Sequence, residues 1–257
     1  MKKLMVLLLS TTLLIGLAAC GESEFQKDES NTSANSADVN ISEDIESSGK
    51  PDIDPDVQIG DYVTFGTYEQ DCDFLNGTEN IEWLVLDVQD GKVLLLSKYG
   101  LDCKKYNEEY KETTWETCTL RNWLNYDFYN TAFSNTEKEI VSETNVIAED
   151  NTEYRTDAGN DTRDKVFLLS ISEVEKYFSV YYERGCKPTS FAISHGADPY
   201  YGTSYSYSDG NDSWVLRTPG GSQEDIAFIG VGGELTGRGA CVDNGFTIRP
   251  AMWVTIG

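Results

Sequence analysis

Histidine occurs once in the 257-residue chain, at His195. That excludes multi-His metal centres and leaves any His-based catalytic dyad dependent on one position. Bases are scarce too: 20 Lys and Arg stand against 44 Asp and Glu, a formal net charge of −24. That balance argues against nucleic-acid binding, which needs cations to replace counterions along phosphates. None of the six Cys forms a C-x-x-C pair, so zinc ribbons and thioredoxin-like redox centres drop out. No G-x-S-x-G elbow surrounds a serine. Gly230, Gly232 and Gly233 do not complete G-x-G-x-x-G, because Leu235 fills the last position.

What the N-terminus does contain is an address. Lys2 and Lys3 precede an apolar run from Leu4 to Leu17, too short for a comfortable membrane span. The run ends in Leu17-Ala18-Ala19-Cys20, followed by Gly21. Small residues before a Cys resemble the lipobox of bacterial lipoproteins, in which the Cys is diacylated and becomes N-terminal. Residues 1–20 are therefore expected to be a lipoprotein signal peptide, with Cys20 the lipidation site. Two acyl chains suffice for stable anchoring, which places the protein at the cell membrane, facing outside the cytoplasm. Loss of Lys2 and Lys3 would bring the mature chain close to −26.

Residues 21–56 read as a disordered acidic linker. They hold 11 acids against Lys27 and Lys50, with Phe25 the only aromatic. Too little apolar surface is present to offset the entropy of ordering. Such a tether reaches on the order of 30 Å, more if self-repulsion extends it. After Cys20, five Cys remain, so at least one is unpaired within a monomer.

From residue 57 the composition changes, and residues 57–257 are expected to form one α+β domain. Asp61 to Phe65 reads as a strand turning at Gly66. Ile81 to Gln89 and Lys92 to Ser97 flank Asp90-Gly91, a strong hairpin signal. Both strands are apolar on both faces, which predicts a central, covered hairpin. Leu120, Trp123, Leu124 and Phe128 have helical spacing. Ser134 to Glu137 is a capping box, and Ser172 to Glu175 reads as a second one, following a strand at Val166 to Leu169. Two or three helices are thus expected. Residues 185–214 carry Gly, Ser, Tyr and Asp without a period and predict a long loop region. Strands return at Ile226 to Val231 and Ala240 to Val242. A final strand at Phe246 to Ile256 would place Pro250 on an edge or at a bulge.

Trp214-Val215-Leu216-Arg217-Thr218-Pro219-Gly220 and Ile248-Arg249-Pro250-Ala251-Met252-Trp253 resemble the paired closing motifs of an uncharacterised bacterial domain family. That family is common in lipoproteins and surface proteins and is similar to the C-type lectin-like fold. Gly60 to Gly66 and Leu120 to Asn125 fit its pattern as well. The resemblance implies a C-type lectin-like mixed domain with its terminal strands in one sheet and a long loop region carrying ligands. It implies no settled activity. Arg217 and Arg249 are expected to hold the closing motifs together through buried hydrogen bonds.

The chemistry-bearing residues point to binding. Tyr200, Tyr201, Tyr205 and Tyr207, with Trp214 at the end of the loop, offer flat apolar faces with polar tips. Such rings suit stacking on sugars or anchoring a protein partner. Asp209, Asn211 and Asp212 add oxygen donors of the type calcium takes, and no other cofactor is expected. The expected partners are an extracellular glycan or surface protein, and the membrane through the lipid. The competing expectation is that the rings cover the core of a structural envelope protein. An enzyme is the other alternative. Formylglycine-generating enzymes are similar in fold class and bind copper through a Cys pair, here Cys186 and Cys241, although the flanking sequence lacks that family's active-site pattern. Ser194 beside His195 is a weaker candidate, because sequence neighbours usually point apart.

Overall fold

The computed structural model describes residues 53–202 and 208–256 of the protein. Cys20, Tyr205 and Tyr207 lie outside the described residues. The folded unit extends upstream of residue 57, because Ile53 is already buried in the core.

Among the described residues, twelve strands build two five-stranded sheets and a small ribbon. The first sheet has the order β1-β2-β3-β12-β5. It comprises β1 (Tyr62–Tyr68), β2 (Glu79–Gln89), β3 (Lys92–Ser97), β12 (Ala251–Thr255) and β5 (Val141–Ser142). The second has the order β10-β9-β8-β11-β4. Its strands are β4 (Asp102–Lys105), β8 (Trp214–Pro219), β9 (Asp225–Ile229), β10 (Leu235–Cys241) and β11 (Gly245–Ile248). The ribbon pairs β6 (Thr144–Val146) with β7 (Thr162–Asp164). Five short α segments accompany them: α1 (Thr119–Trp123), α2 (Tyr129–Ala132), α3 (Asn135–Ile140), α4 (Ile171–Tyr177) and α5 (Ser190–Ser194). The fold is α+β, and no helix among the described residues is long and apolar enough to cross a membrane.

The first sheet follows its local signals. Asp90 and Gly91 both take positive φ, 50° and 70°, as the tight turn between β2 and β3 demands. β3 is central, and Val93 to Leu96 are buried on both faces. The terminal strands β1 and β12 share this sheet, with β2 and β3 between them. Gly66 does not end β1. Register shifts between Thr64 and Thr67, and a Cβ at Gly66 would stand 2.6 Å from the Phe133 ring. The strand therefore bulges and continues to Tyr68.

Leu120, Leu124 and Phe128 are buried on one face of a continuous helical stretch, with Trp123 packed beside them. Its middle, Leu124–Phe128, is a π turn rather than α-helix. Asn125 in that turn reaches Val166: its Nδ2 donates to the Val166 carbonyl, and its Oδ1 accepts from Lys165 and Val166 N–H groups.

That contact explains why Val166 to Leu169 is not a ladder strand. Phe167 makes a single bridge to Ala251, and the Leu168 carbonyl accepts from Arg217. Its backbone is met by the Asn125 and Arg217 side chains, the Phe167–Ala251 bridge and the Arg217 N–H, which donates to the Leu169 carbonyl, with all four side chains buried. The helix after it starts two residues earlier than expected. Ser170 is the N-cap, and Glu173 closes the box. Ser134 and Glu137 form the other box as expected.

The last strand also divides. β11 belongs to the second sheet and β12 to the first, so Arg249-Pro250 is the crossover between sheets and not an edge or bulge of one strand. Pro250 lacks an N–H, but its carbonyl accepts from Ser97. Side chains of both sheets join one core that includes Trp83, Leu94, Trp214 and Ile248.

Candidate binding depression

An open depression of about 740 Å³ lies where the 198–213 segment meets the starts of β8 and β11. Tyr200 and Tyr201 form one wall. Phe228 from β9 and Phe246 from β11 also line it, their ring centroids 5.2 Å apart. Asp198, Asp212, Ser213 and Asn244 supply polar groups around these rings.

The wall is pinned by backbone pairing. Tyr200 donates its N–H to the Asn211 carbonyl at 2.8 Å, and Gly210 donates to the Tyr200 carbonyl at 2.7 Å. Gly202 has no Cβ, which leaves room for the Tyr200 ring folded back over it. Asp212 fastens the segment to the sheet: its carboxylate accepts from the Thr247 hydroxyl at 2.6 Å and the Asp198 and Ser213 N–H groups. Asp212 N in turn donates to the Cys186 carbonyl.

Tyr201 is 74% exposed, and Tyr200 is half-buried. Trp214 departs from the expected exposed face. It is fully buried, and its indole N–H donates to the Arg184 carbonyl at 2.9 Å. Density of aromatic residues in a loop does not reveal which ring faces inward, and Trp214 already belongs to β8. Asp209 is exposed, whereas Asn211 is buried and donates to the Val231 carbonyl. Phe228, Phe246, Asp198 and Asn244 were not singled out by sequence. The first two sit in ordinary strand patterns, and their convergence depends on sheet order.

The other candidates sit elsewhere. His195, at the end of α5, meets Asp102 of β4 through Nδ1 at 2.7 Å. Asp102 is buried and also accepts from the Tyr68 hydroxyl at 2.9 Å and the Cys103 N–H. The sequence held one signal for this pair, the lone His; the partner is 93 residues away. Ser194 donates its hydroxyl to the Phe191 carbonyl. Tyr68 is held well above the usual phenol range, by burial first and then by Asp102.

All five described Cys are free. Cys241 lies on edge strand β10 opposite Asp225, while Cys186 is buried beside Arg249. Burial pushes the Cys186 thiol up, with the guanidinium pulling the other way. Burial also pushes Cys103 up to about 11 and Cys118 up to about 12. Among the described residues, Glu69, Asp71 and Glu79 gather their carboxylates within 4.8 Å, and backbone N–H groups of Gln70, Cys72 and Asp73 donate to them.

Residues 90–256 match a family described as a domain of unknown function, DUF6273. The chain belongs to this family. The DUF6273 match opens in the turn between β2 and β3 and runs through β12, so it takes in the whole second sheet and the depression. β1 and β2 complete the first sheet from outside the match. No curated protein and no solved structure matches the chain.

Proposed function

We propose that the protein is a lipid-anchored binding protein of the cell surface, whose C-type lectin-like domain takes an extracellular glycan in the Tyr200–Tyr201 depression. One observation carries the reading: Tyr200, Tyr201, Phe228 and Phe246 line one open depression with Asp198, Asp212, Ser213 and Asn244, and Tyr201 is exposed there while Phe246 also packs into the core. Its volume lies in the roughly 300–1,000 Å³ range of small-ligand sites. Flat rings stack on the C–H faces of sugars, and carboxylate, amide and hydroxyl groups take up their hydroxyls. Calcium held by Asp209, Asn211 and Asp212 would compete with the hydrogen bonds that Asn211 and Asp212 make to the protein. The rings therefore carry the recognition.

A glycan array probed with the mature protein and with Tyr200→Ala tests the site. Wild type should bind a subset of glycans that the variant loses, with an unchanged unfolding midpoint. Equal binding by the variant sinks the assignment. Anchoring rests on Lys2, Lys3, the apolar run and Leu17-Ala18-Ala19-Cys20. Cys20→Ala should release the protein from membranes or leave the precursor unprocessed. Mass spectrometry finding an unmodified N-terminus away from Cys20 would refute lipidation.

A further inference from the structure

The depression is charged on one side only. Its described lining contains two carboxylates, Asp198 and Asp212, and no Lys or Arg. Asp212 is occupied by Thr247 and two backbone N–H groups. Asp198 is different: it is exposed, and among the described residues only its backbone N–H is engaged, as donor to Asp212. An uncommitted carboxylate therefore stands beside Tyr200, Tyr201 and Phe246 in a chain of net charge −24. Uronic acids, sialic acids and phosphate-bearing polymers meet repulsion from this lining, and the lysines of the neighbouring backbone, Lys187 at Gly210 and Lys104 and Lys105 across from Phe246 and Gly245, lie outside it. A ring that carries an ammonium group meets the opposite. The carboxylate pairs with it, and the aromatic faces attract both the cation and the C–H face of the sugar.

We propose that the depression selects oligosaccharides of hexosamine whose amino groups are free, over their N-acetylated and anionic counterparts. This rests on reading the depression as the glycan site. The ammonium sits against Asp198, and its pyranose ring stacks on Tyr200 or Tyr201. Acetylation removes the charge and adds bulk at the carboxylate, so it costs affinity twice.

Calorimetric titration of the mature protein at mildly acidic pH, where the amines are charged, tests it with defined probes. These are the tetramers of glucosamine, N-acetylglucosamine and galacturonate, with tetralysine as a control of like charge. The glucosamine tetramer should bind at least about tenfold tighter than each other probe. Asp198→Asn should erase about tenfold of that preference, although it changes one charge among many. Tyr200→Ala should weaken binding further. Equal affinity for tetralysine would overturn the inference, because bulk charge would then explain the attraction. Preference for the N-acetylated tetramer, lost in Tyr200→Ala, overturns the selectivity and leaves the site standing. Binding of the glucosamine tetramer unaffected by Tyr200→Ala or Asp198→Asn overturns both. No binding to any tetramer overturns the inference, and the array with Tyr200→Ala then decides the site.

Discussion

Arg217 and Arg249 are both 4% exposed, yet they stabilise the molecule in different ways. Arg217 donates to the Ile147 and Leu168 carbonyls and forks onto both oxygens of Glu173. Glu173 is also the closing residue of the α4 capping box, so one carboxylate ties a helix start to β8. Arg249 donates to the Ser97 and Arg184 carbonyls and lies 5.1 Å over the Trp214 ring. Arg217→Ala should lower unfolding stability by about 3 kcal/mol or more, because it removes the guanidinium from the Ile147 and Leu168 carbonyls and from a partly buried carboxylate that keeps the Ser170 N–H. Arg217→Lys should recover only part, since an ammonium cannot reproduce the fork. A denaturant midpoint unchanged in Arg217→Ala would show that the pair adds nothing.

Thiols give a second test at this scale. Cys103 and Cys118 are buried, with pKa values raised to about 11 and about 12, so both stay protonated at pH 8. A disulfide exchange reagent at that pH should label exposed Cys72 in the folded domain and reach Cys103 and Cys118 only on unfolding. Labelling of either at the Cys72 rate would contradict the packing described. That both arginines are buried and hydrogen-bonded was legible from sequence, because charged residues inside apolar strands must find partners. Their partners were not, since the bonds run to Ile147, Leu168, Glu173, Ser97 and Arg184, and the closing motifs meet instead through the Arg249–Trp214 ring contact. The Asp102–His195 pair was not, since nothing local marks Asp102 as its partner.

Short elements carry their information locally, and this decides which of them the sequence reveals. Asp90-Gly91 specifies its hairpin within four residues, and Ser134-Glu137 specifies its cap within four. Ser170-x-x-Glu173 and Ser172-x-x-Glu175 satisfy the same capping pattern. The choice falls on Ser170 because Arg217 holds Glu173 and the Thr218 hydroxyl accepts from Ile171 N. Ser170→Ala should cost about 1 kcal/mol, with Ser172→Ala well below that. The opposite order in thermal unfolding would return the cap to Ser172. Gly66 offers a sharper case. It has φ +70°, and a Cβ there would lie 2.7 Å from the Ala132 carbonyl oxygen. Gly66→Ala should destabilise by about 1–3 kcal/mol through strain and overpacking. A neutral outcome would mean that the bulge relaxes freely.

Across the whole molecule, sheet membership was the part that composition and periodicity could not supply. Phe246 to Ile256 reads as one strand because its apolar pattern runs on. The chain changes sheets at Arg249-Pro250, where the Ser97 carbonyl accepts from the Arg249 guanidinium and the Ser97 N–H donates to the Pro250 carbonyl. The depression is a product of that order: it exists because β9 and β11 flank β8, which no local signal records. Excess acid acts at this scale also. With a net charge of −24, self-repulsion opposes the compact state, so added sodium chloride should raise the thermal midpoint as screening shortens. A midpoint that falls with salt would mean that specific ion pairs, such as Arg121–Asp164 at 2.7 Å, outweigh the bulk charge.

The central claim is that ligands enter between Tyr200, Tyr201 and Phe246, and a crystal structure of the domain with a glycan selected on the array tests it most directly. The account predicts a sugar ring stacked on Tyr200 or Tyr201, with a polar group of the sugar at Asp198. A glycan seated on another face, or the Tyr200 and Tyr201 rings packed inward with the depression closed, would contradict it.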